Sequence, residues 1–208
     1  MPLARNAKPE KRVLTARGLA TRQRIVAAAA DLIYAASAER VSLDEIMEAS
    51  GTSKSQLYHY FSDKDALVRA VIDIQTDRIL QANSKFLGPL DSFEGLRAWR
   101  DALIQANRLG VSGGCPIGSL ASELSSQSED ARRTLDQSFL SWTAVIESGL
   151  SRMKARGHLR PSADTKTIAL AVLAAIQGGI LLSKTASNSQ PLEVAFDMAL
   201  AHIAQHAA

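Results

Sequence analysis

The sequence predicts an all-α fold, and three observations support this prediction. Apolar residues recur at intervals of three and four, which is the period of one face of an α-helix. Serine and aspartate residues stand where several of these patterns begin, as helix N-caps do. Glycine and proline are few, at 12 and 6 of 208 residues, so most of the chain can be helical. We expect an N-terminal three-helix domain followed by a second domain that is helical throughout.

The first predicted helix spans residues 21–36, TRQRIVAAAADLIYAA. Its alanines favour helix, and their small size allows close packing against neighbouring helices. One face of this helix carries apolar residues at helical spacing, namely Ile25, Ala29, Leu32, Ile33 and Ala36.

Two short helices joined by a tight turn are predicted within residues 41–64. Ser42 and Glu45 have the spacing of a capping box at the start of the first helix, which runs to about residue 50. Gly51 follows it, and glycine can adopt the left-handed conformation that a sharp turn needs.

The second short helix begins after Ser53, which forms another capping box with Gln56. Leu57 and Phe61 are four residues apart and therefore share a face that can pack inward. The opposite face carries polar side chains, namely Lys54, Ser55, Tyr58 and His59. Two helices arranged in this way form a helix-turn-helix, whose second helix is shaped to enter the major groove of DNA.

Basic residues are concentrated near the N-terminus. Residues 1–64 hold 10 Lys and Arg against 7 Asp and Glu, whereas residues 65–208 hold 14 of each. Within residues 1–24, seven basic residues stand against Glu10 alone. Neutralisation of phosphates dominates non-specific DNA affinity, so this arm is consistent with DNA contact. A solvated tail that only aids solubility is the alternative.

We divide the chain into a basic, flexible arm at residues 1–20, a helix-turn-helix domain at residues 21–64 and a second domain at residues 65–208. Ser62, with Asp65 three residues later, is expected to cap the first helix of the second domain. Breaks are expected at residues 88–89, at residues 110–114 and at Gly157. The predicted helices cover residues 63–85, 92–109, 116–125, 130–155, a segment that begins near 164, and 191–206.

Residues 168–183, IALAVLAAIQGGILLS, are apolar on nearly every side. A membrane span is one interpretation, but the segment is too short for a bilayer and is interrupted by Gln177, Gly178 and Gly179. A helix that is apolar all round is otherwise buried in a core or against a partner. We therefore expect burial and no membrane partner.

Signals of catalysis or metal binding are weak, so we expect no enzymatic activity, cofactor or metal. The S-x-x-K sequence at residues 151–154 lacks the partner motifs of penicillin-binding enzymes. His202 and His206 are four residues apart, without the glutamate of the H-E-x-x-H motif. Cys115 is the single cysteine, which excludes an internal disulfide and fits a reducing cytoplasm. A redox-sensing thiol and a buried small hydrophobe both remain open for it.

The arrangement resembles a known family. Residues 21–72 are similar to the DNA-binding domain of the tetracycline-repressor (TetR) family in the opening Thr21-Arg22, the capped second helix, SGTSKSQLYHYF, and Lys64 at the start of the fourth helix. GCPIGSLASEL, residues 114–124, resembles a second-domain motif of a subgroup that includes repressors of multidrug-resistance and flavonoid-responsive operons. The resemblance implies that the second domain binds a ligand and forms the dimer.

The expected function is that of a cytoplasmic, homodimeric transcriptional repressor. It would bind a pseudo-palindromic operator in double-stranded DNA and be released by a small apolar effector. A DNA-binding architectural protein without an effector and a helical enzyme are the alternatives.

Three sets of site residues are predicted from the motifs and the resemblance. The DNA contacts are Thr21, Arg22, Ser42, Ser53, Lys54, Ser55, Gln56, Tyr58, His59, Tyr60 and Lys64. The effector contacts are Trp99, Leu103, Cys115, Leu120, Phe139, Trp142 and Gln177. The dimer contacts are Met153, Ala171, Ala174, Ala175, Gly178 and Leu182.

Overall fold

The computed structural model describes residues 14–109 and 114–208. These two ranges are all-α, as predicted, and the isolated bridge between Leu159 and Ala207 is their one β-type pairing. The expectations for the basic residues before position 14 and for the break at residues 110–113 fall outside the described residues. The helices are α1 (Ala16–Ala35), α2 (Leu43–Ser50), α3 (Lys54–Tyr60), α4 (Lys64–Leu87), α5 (Phe93–Arg108), α6 (Pro116–Leu124), α7 (Glu129–Ala155), α8 (Thr165–Ala186) and α9 (Gln190–Ala204).

Helix α1 begins five residues before the predicted start. The side chain of Thr15 accepts a hydrogen bond from the backbone N–H of Gly18 at 3.2 Å and caps the helix there. Residues 16–20, which were expected in the flexible arm, are therefore part of α1. The buried face of α1 carries Ile25, Val26, Ala29, Ala30 and Ile33.

Local hydrogen bonds fix the helix-turn-helix in the predicted way. The Ser42 hydroxyl accepts the N–H of Glu45, whose carboxylate accepts the N–H of Ser42. Ser53 and Gln56 form the same reciprocal pair at α3. Gly51 ends α2 with φ 60°, in the left-handed region that favours glycine. Both capping boxes satisfy amides that a helix N-terminus otherwise leaves unpaired.

The cap of α4 is Asp63, and the prediction of Ser62 was wrong. The Asp63 carboxylate accepts the N–H of Ala66 at 2.7 Å, and the Ser62 hydroxyl donates to the same carboxylate at 2.7 Å. These hydrogen bonds lower the pKa of Asp63, so the carboxylate stays charged beside the positive end of the helix dipole. A charged acceptor makes the stronger cap, and the serine supports it.

Helix α4 is shared by both parts of the chain, because it packs on α1 and also on α5, α6 and α7. Helix α7 packs on α8, and α8 packs on α9. In the core, the Trp99 indole N–H donates to the side-chain oxygen of Asn83 at 2.8 Å. The rings of Trp99 and Phe196 meet edge to face at 5.1 Å, so this tryptophan joins three helices.

Helix α8 is buried on one side only. Ile168 and Ile176 lie in the core. Leu170, Leu181 and Leu182 are 59–62% exposed. Within the described ranges, α8 is the one helix long and apolar enough to cross a membrane, and 39% of its most apolar window is buried in the chain. The expected burial therefore applies to one face of α8, while the other face remains apolar and uncovered in the single chain.

Gly179→Ala is expected to lower the free energy of unfolding by about 1–2 kcal/mol, because overpacking outweighs the gain in helix propensity. A Cβ at position 179 would lie 2.9 Å from the Cα of Leu192 on α9. Gly18→Ala is the control, since a Cβ there has no neighbour closer than 3.4 Å. Urea unfolding followed by circular dichroism measures both, and equal stability of the two variants would contradict the close approach of α8 and α9.

Candidate DNA-binding surface and effector cavity

Helix α3 presents a polar face to solvent while its apolar residues fasten it to the domain. Leu57 is fully buried, and Phe61, just past the helix end, is 3% exposed. The Gln56 side-chain oxygen accepts the N–H of Ser53 at 2.9 Å, so the group that Gln56 can offer to a base is its NH₂ donor. The remaining predicted base contacts of α3 are all exposed, namely Lys54, Ser55, Tyr58 and His59.

Two predicted phosphate contacts lie beside α3. The Arg22 guanidinium lies 5.2 Å from the centre of the Phe61 ring, next to the end of α3, which we call the reading helix. Lys64 begins α4, and its ammonium group donates to the Glu39 carbonyl at 3.3 Å. Both cations are partly exposed, so they can reach phosphates that flank the bases read by α3.

The other predicted phosphate contacts are engaged within the protein. The backbone N–H and the hydroxyl of Ser42 both donate to the Glu45 carboxylate at 2.7 Å. These hydrogen bonds lower the pKa of Glu45, so a phosphate approaching Ser42 would meet a negative charge. The Thr21 hydroxyl donates to a carbonyl of its own helix at 3.0 Å. The Tyr60 ring meets the His59 ring edge to face at 4.9 Å.

Arg24 is a positioning residue that the sequence suggested only as basic charge. Its guanidinium Nε donates to the Ser50 carbonyl at 2.8 Å and so satisfies a carbonyl at the end of α2. The Ser50 and Thr52 hydroxyls pair at 2.7 Å inside the turn. Because Arg24 and Ser50 are 26 residues apart, no local pattern indicates their contact.

A cavity of about 350 Å³ lies under α1, at the lower end of the volumes of small-molecule sites. Three predicted effector residues line it, namely Leu103, Cys115 and Trp142. The complete lining is Asp31, Tyr34, Gln75, Arg78, Ile79, Ala82, Asn83, Leu103, Ala106, Asn107, Gly114, Cys115, Pro116, Trp142, Ile180 and Leu192. Apolar side chains predominate, with a small number of polar groups among them.

A second cavity, of about 270 Å³, adjoins the first, and Gly114 and Cys115 line both. The predicted residues Phe139 and Gln177 line this second cavity. Leu120 lines a smaller cavity of about 80 Å³. The structure therefore distributes the predicted effector residues over more than one space.

The prediction was wrong for Trp99, which lines neither the 350 Å³ nor the 270 Å³ cavity. Trp99 is fully buried, and its indole N–H donates a hydrogen bond to the side-chain oxygen of Asn83. Trp142 lies on another amphipathic helix and does line a cavity. Both tryptophans show the same local sequence pattern, so only tertiary packing separates the core residue from the cavity residue.

Six polar residues of the 350 Å³ cavity were not predicted, among them Asn83 of α4 and Asn107 of α5. Asp31 and Tyr34 belong to α1, and Gln75 and Arg78 belong to α4. The sequence assigns α1 to the DNA-binding domain, so nothing local indicates that it also forms part of a cavity wall. Arg78 pairs with Asp31 at 3.1 Å, and because both side chains are exposed this ion pair adds little stability.

Cys115 is a structural thiol. Its sulfur accepts the N–H of Gly118 at 3.4 Å and caps α6. Burial raises the pKa of Cys115, against a smaller opposing effect of the hydrogen bond from the Gly118 N–H. A thiol held in its protonated form is a poor nucleophile, so the structure favours the interpretation as a buried small hydrophobe.

The weak enzyme and metal signals have structural explanations. The Lys154 ammonium group donates to the Ala163 carbonyl at 2.9 Å, which ties α7 to the loop before α8. His206 lies 3.1 Å from the Arg160 guanidinium, and desolvation together with that charge lowers the pKa of His206. Throughout residues 14–109 and 114–208, no group of three or more His, Cys, Asp or Glu side chains is placed to hold a metal ion.

An exposed apolar surface, which we call the α8/α9 face, contains most of the predicted dimer residues. Its exposed members are Leu170, Ala171, Ala174, Gly178, Leu181, Leu182, Val194 and Met198. Ala175 is half-buried at its edge. Met153 is fully buried in the core of the single chain, so the prediction that it forms a dimer contact was wrong.

The fold and these surfaces define the class of protein, which is a helix-turn-helix regulator with an all-helical second domain. Residues 25–71 match the family model of bacterial regulatory proteins of the tetR family, and residues 93–198 match that of the LmrA/YxaF-like C-terminal domain of transcriptional regulators. The chain belongs to the TetR family of transcriptional regulators, whose members are not enzymes.

Known proteins resemble the chain over most of its length. An HTH-type transcriptional regulator encoded in the lacX 3′ region of Lactococcus lactis subsp. lactis is 31% identical, over 86% of this chain and 90% of the relative. LmrA of Bacillus subtilis (strain 168) is 30% identical, over 83% and 90% respectively. The crystal structure of a TetR-family regulator from Cytophaga hutchinsonii has the same fold, with a TM-score of 0.81, 20% identity and coverage of 94% and 98%.

Lys54→Ala is expected to weaken operator binding by about 1–3 kcal/mol if Lys54 contacts a base, and to affect scrambled DNA much less. Lys166→Ala is the control, because Lys166 is an exposed lysine in the first turn of α8. Fluorescence anisotropy with operator and scrambled duplexes at one salt concentration measures both variants. Equal losses of affinity on the two duplexes would identify Lys54 as a phosphate contact.

Proposed function

We propose that this protein is a dimeric transcriptional repressor that binds a pseudo-palindromic operator and is released by a small molecule. The observation that supports this most directly is the 350 Å³ cavity, whose wall includes Asp31 and Tyr34 of α1. A molecule in this cavity touches both the second domain and the first helix of the DNA-binding domain. We further propose that the protein acts in the cytoplasm, where its DNA is.

Two hydrogen-bonded contacts connect the second domain to the helix-turn-helix domain. The Glu123 carboxylate of α6 accepts the backbone N–H groups of Ala38, at 3.2 Å, and of Glu39, at 2.7 Å, in the loop before α2. The Tyr34 hydroxyl of α1 donates to the Gly114 carbonyl at 3.2 Å. Gly114 lines both the 350 Å³ and the 270 Å³ cavity, so a ligand there acts next to this contact.

The proposed dimer uses the α8/α9 face. One reading helix covers only a few base pairs, so a second copy is needed for useful specificity. Two reading helices must be about 34–36 Å apart to enter successive major grooves. A displacement of α1 or of the start of α4 changes that separation and therefore lowers operator affinity.

The ligand can shift this equilibrium only by the difference between its affinities for the two forms. Coupling of about 1–3 kcal/mol, or roughly 5- to 150-fold in affinity, is usual for such systems. Operator DNA must weaken ligand binding by the same factor, because the coupling is reciprocal.

Ala174→Glu is expected to convert the dimer to a monomer, because it places an unpaired charge in the α8/α9 face. Ala20→Glu is the matched control, since it makes the same change at an exposed position of α1. Sedimentation velocity at micromolar concentration measures the mass of each variant. A wild-type monomer at that concentration would refute the proposed assembly.

Glu123→Ala is expected to keep ligand binding and to reduce the coupling factor between ligand and operator toward 1, because the loop before α2 loses its anchor on α6. The ligand is a molecule obtained by screening for release of selected operator DNA, and its affinity is titrated with and without operator. Glu94→Ala is the control, an exposed glutamate in the first turn of α5. Unchanged coupling in Glu123→Ala would exclude α6 as the route, and a wild-type factor of 1 would contradict ligand-induced release.

A further inference from the structure

The 350 Å³ cavity contains a buried hydrogen-bond donor without a partner. Trp142 is 3% exposed, and its indole Nε1 has no acceptor among the residues that the structure describes. Gln75 is 6% exposed and presents a polar side chain on α4. Both residues line the 350 Å³ cavity.

Unpaired buried donors are rare in native proteins, because the free energy lost when the donor leaves water is not recovered through a hydrogen bond in the protein. The other tryptophan of the chain follows this rule, since the Trp99 N–H donates to Asn83 at 2.8 Å. The Trp142 N–H has no such acceptor, and Trp142 lines a largely apolar cavity. A bound molecule with an acceptor atom would satisfy it.

The charges of the cavity further restrict its ligand. Asp31 and Arg78 are the charged members of the described lining, and they pair with each other at 3.1 Å. Neither charge is therefore left over to balance an ion. The apolar surroundings, which include Leu103 and Ile180, disfavour an unpaired charge as well.

We propose that the effector is a neutral, largely apolar molecule with a hydrogen-bond acceptor that pairs with the Trp142 N–H, and with a second polar atom within reach of Gln75. This inference rests on the effector response proposed above and specifies its chemistry. A carbonyl or ether oxygen on a ring system supplies such an acceptor. A pure hydrocarbon would leave the Trp142 N–H unpaired.

The probes for this inference are 9-fluorenone and fluorene, which share a tricyclic skeleton and differ by the ketone oxygen. Wild-type protein is expected to bind fluorenone on the order of 2- to 10-fold more tightly, which is the range of one net hydrogen bond. Trp142→Phe keeps an aromatic ring but removes the donor, so the preference should fall to 1 or below. Trp99→Phe is the matched control and should keep the preference, because Trp99 does not line the cavity that Trp142 lines. Equilibrium dialysis without DNA measures all the affinities.

A second readout needs no change in the cavity. The chain has two tryptophans, so a protein labelled with ¹⁵N-tryptophan gives two indole N–H signals, which Trp99→Phe assigns. Fluorenone is expected to shift the Trp142 signal downfield, as a new hydrogen bond does, and fluorene is not. This measurement uses the wild-type protein and stays decisive if Trp142→Phe does not fold.

Equal affinity for the two probes, binding of neither, or a preference that survives in Trp142→Phe would overturn the inference. Operator release is measured separately by anisotropy. Fluorenone that binds through Trp142 while the operator complex stays intact would support the inference and contradict the proposed release.

Discussion

The structure depends on one constraint, which is that α4 packs both on α1 of the helix-turn-helix domain and on α5, α6 and α7 of the second domain. Leu67 and Val71 are fully buried, and α4 packs on α1. Gln75, Ile79 and Asn83 of the same helix line the larger cavity. A continuous helix of 24 residues is about 36 Å long and behaves as a rigid rod. In the proposed function, α4 would carry a change at the cavity to the residues that hold α3.

Helix α6 limits the way in which α4 can move. The Glu123 carboxylate holds two backbone N–H groups of the loop before α2, and the Tyr34 hydroxyl holds the carbonyl of Gly114. These contacts anchor the DNA-binding domain at points off the axis of α4. In the proposed dimer, a swing of α4 about these anchors would change the separation of the two α3 helices. The Arg78–Asp31 ion pair is too exposed to restrain this motion strongly.

The sequence predicted the parts of the fold that are encoded locally. The capping boxes of Ser42 and Ser53 and the turn at Gly51 each depend on residues within four positions of one another, so their patterns are visible in the chain. At the start of α4, either Ser62 or Asp63 could have capped the helix, and residue spacing alone does not decide between them. Asp63 displaced Ser62 as the cap of α4 because a carboxylate is the stronger acceptor.

The candidate sites were less predictable, because they depend on contacts between distant segments. Trp99 and Trp142 look alike in the sequence, yet one is satisfied by Asn83 and the other lines a cavity. Met153 has the apolar character of a dimer contact but lies in the core of its own chain. Nothing in the sequence indicates that Tyr34 lines a cavity, because packing within the DNA-binding domain already accounts for the apolar pattern of α1.

The single chain is incomplete in two physically different ways. The α8/α9 face is apolar, and burial of an apolar face gains free energy in proportion to area without demanding exact geometry. The Trp142 N–H is a single directional donor, and one hydrogen bond can contribute only a small, reversible gain. A large non-directional surface suits a permanent partner, whereas a small directional one suits a ligand that must come and go. In the proposed function, the α8/α9 face would serve assembly and the Trp142 N–H would serve the response to a ligand.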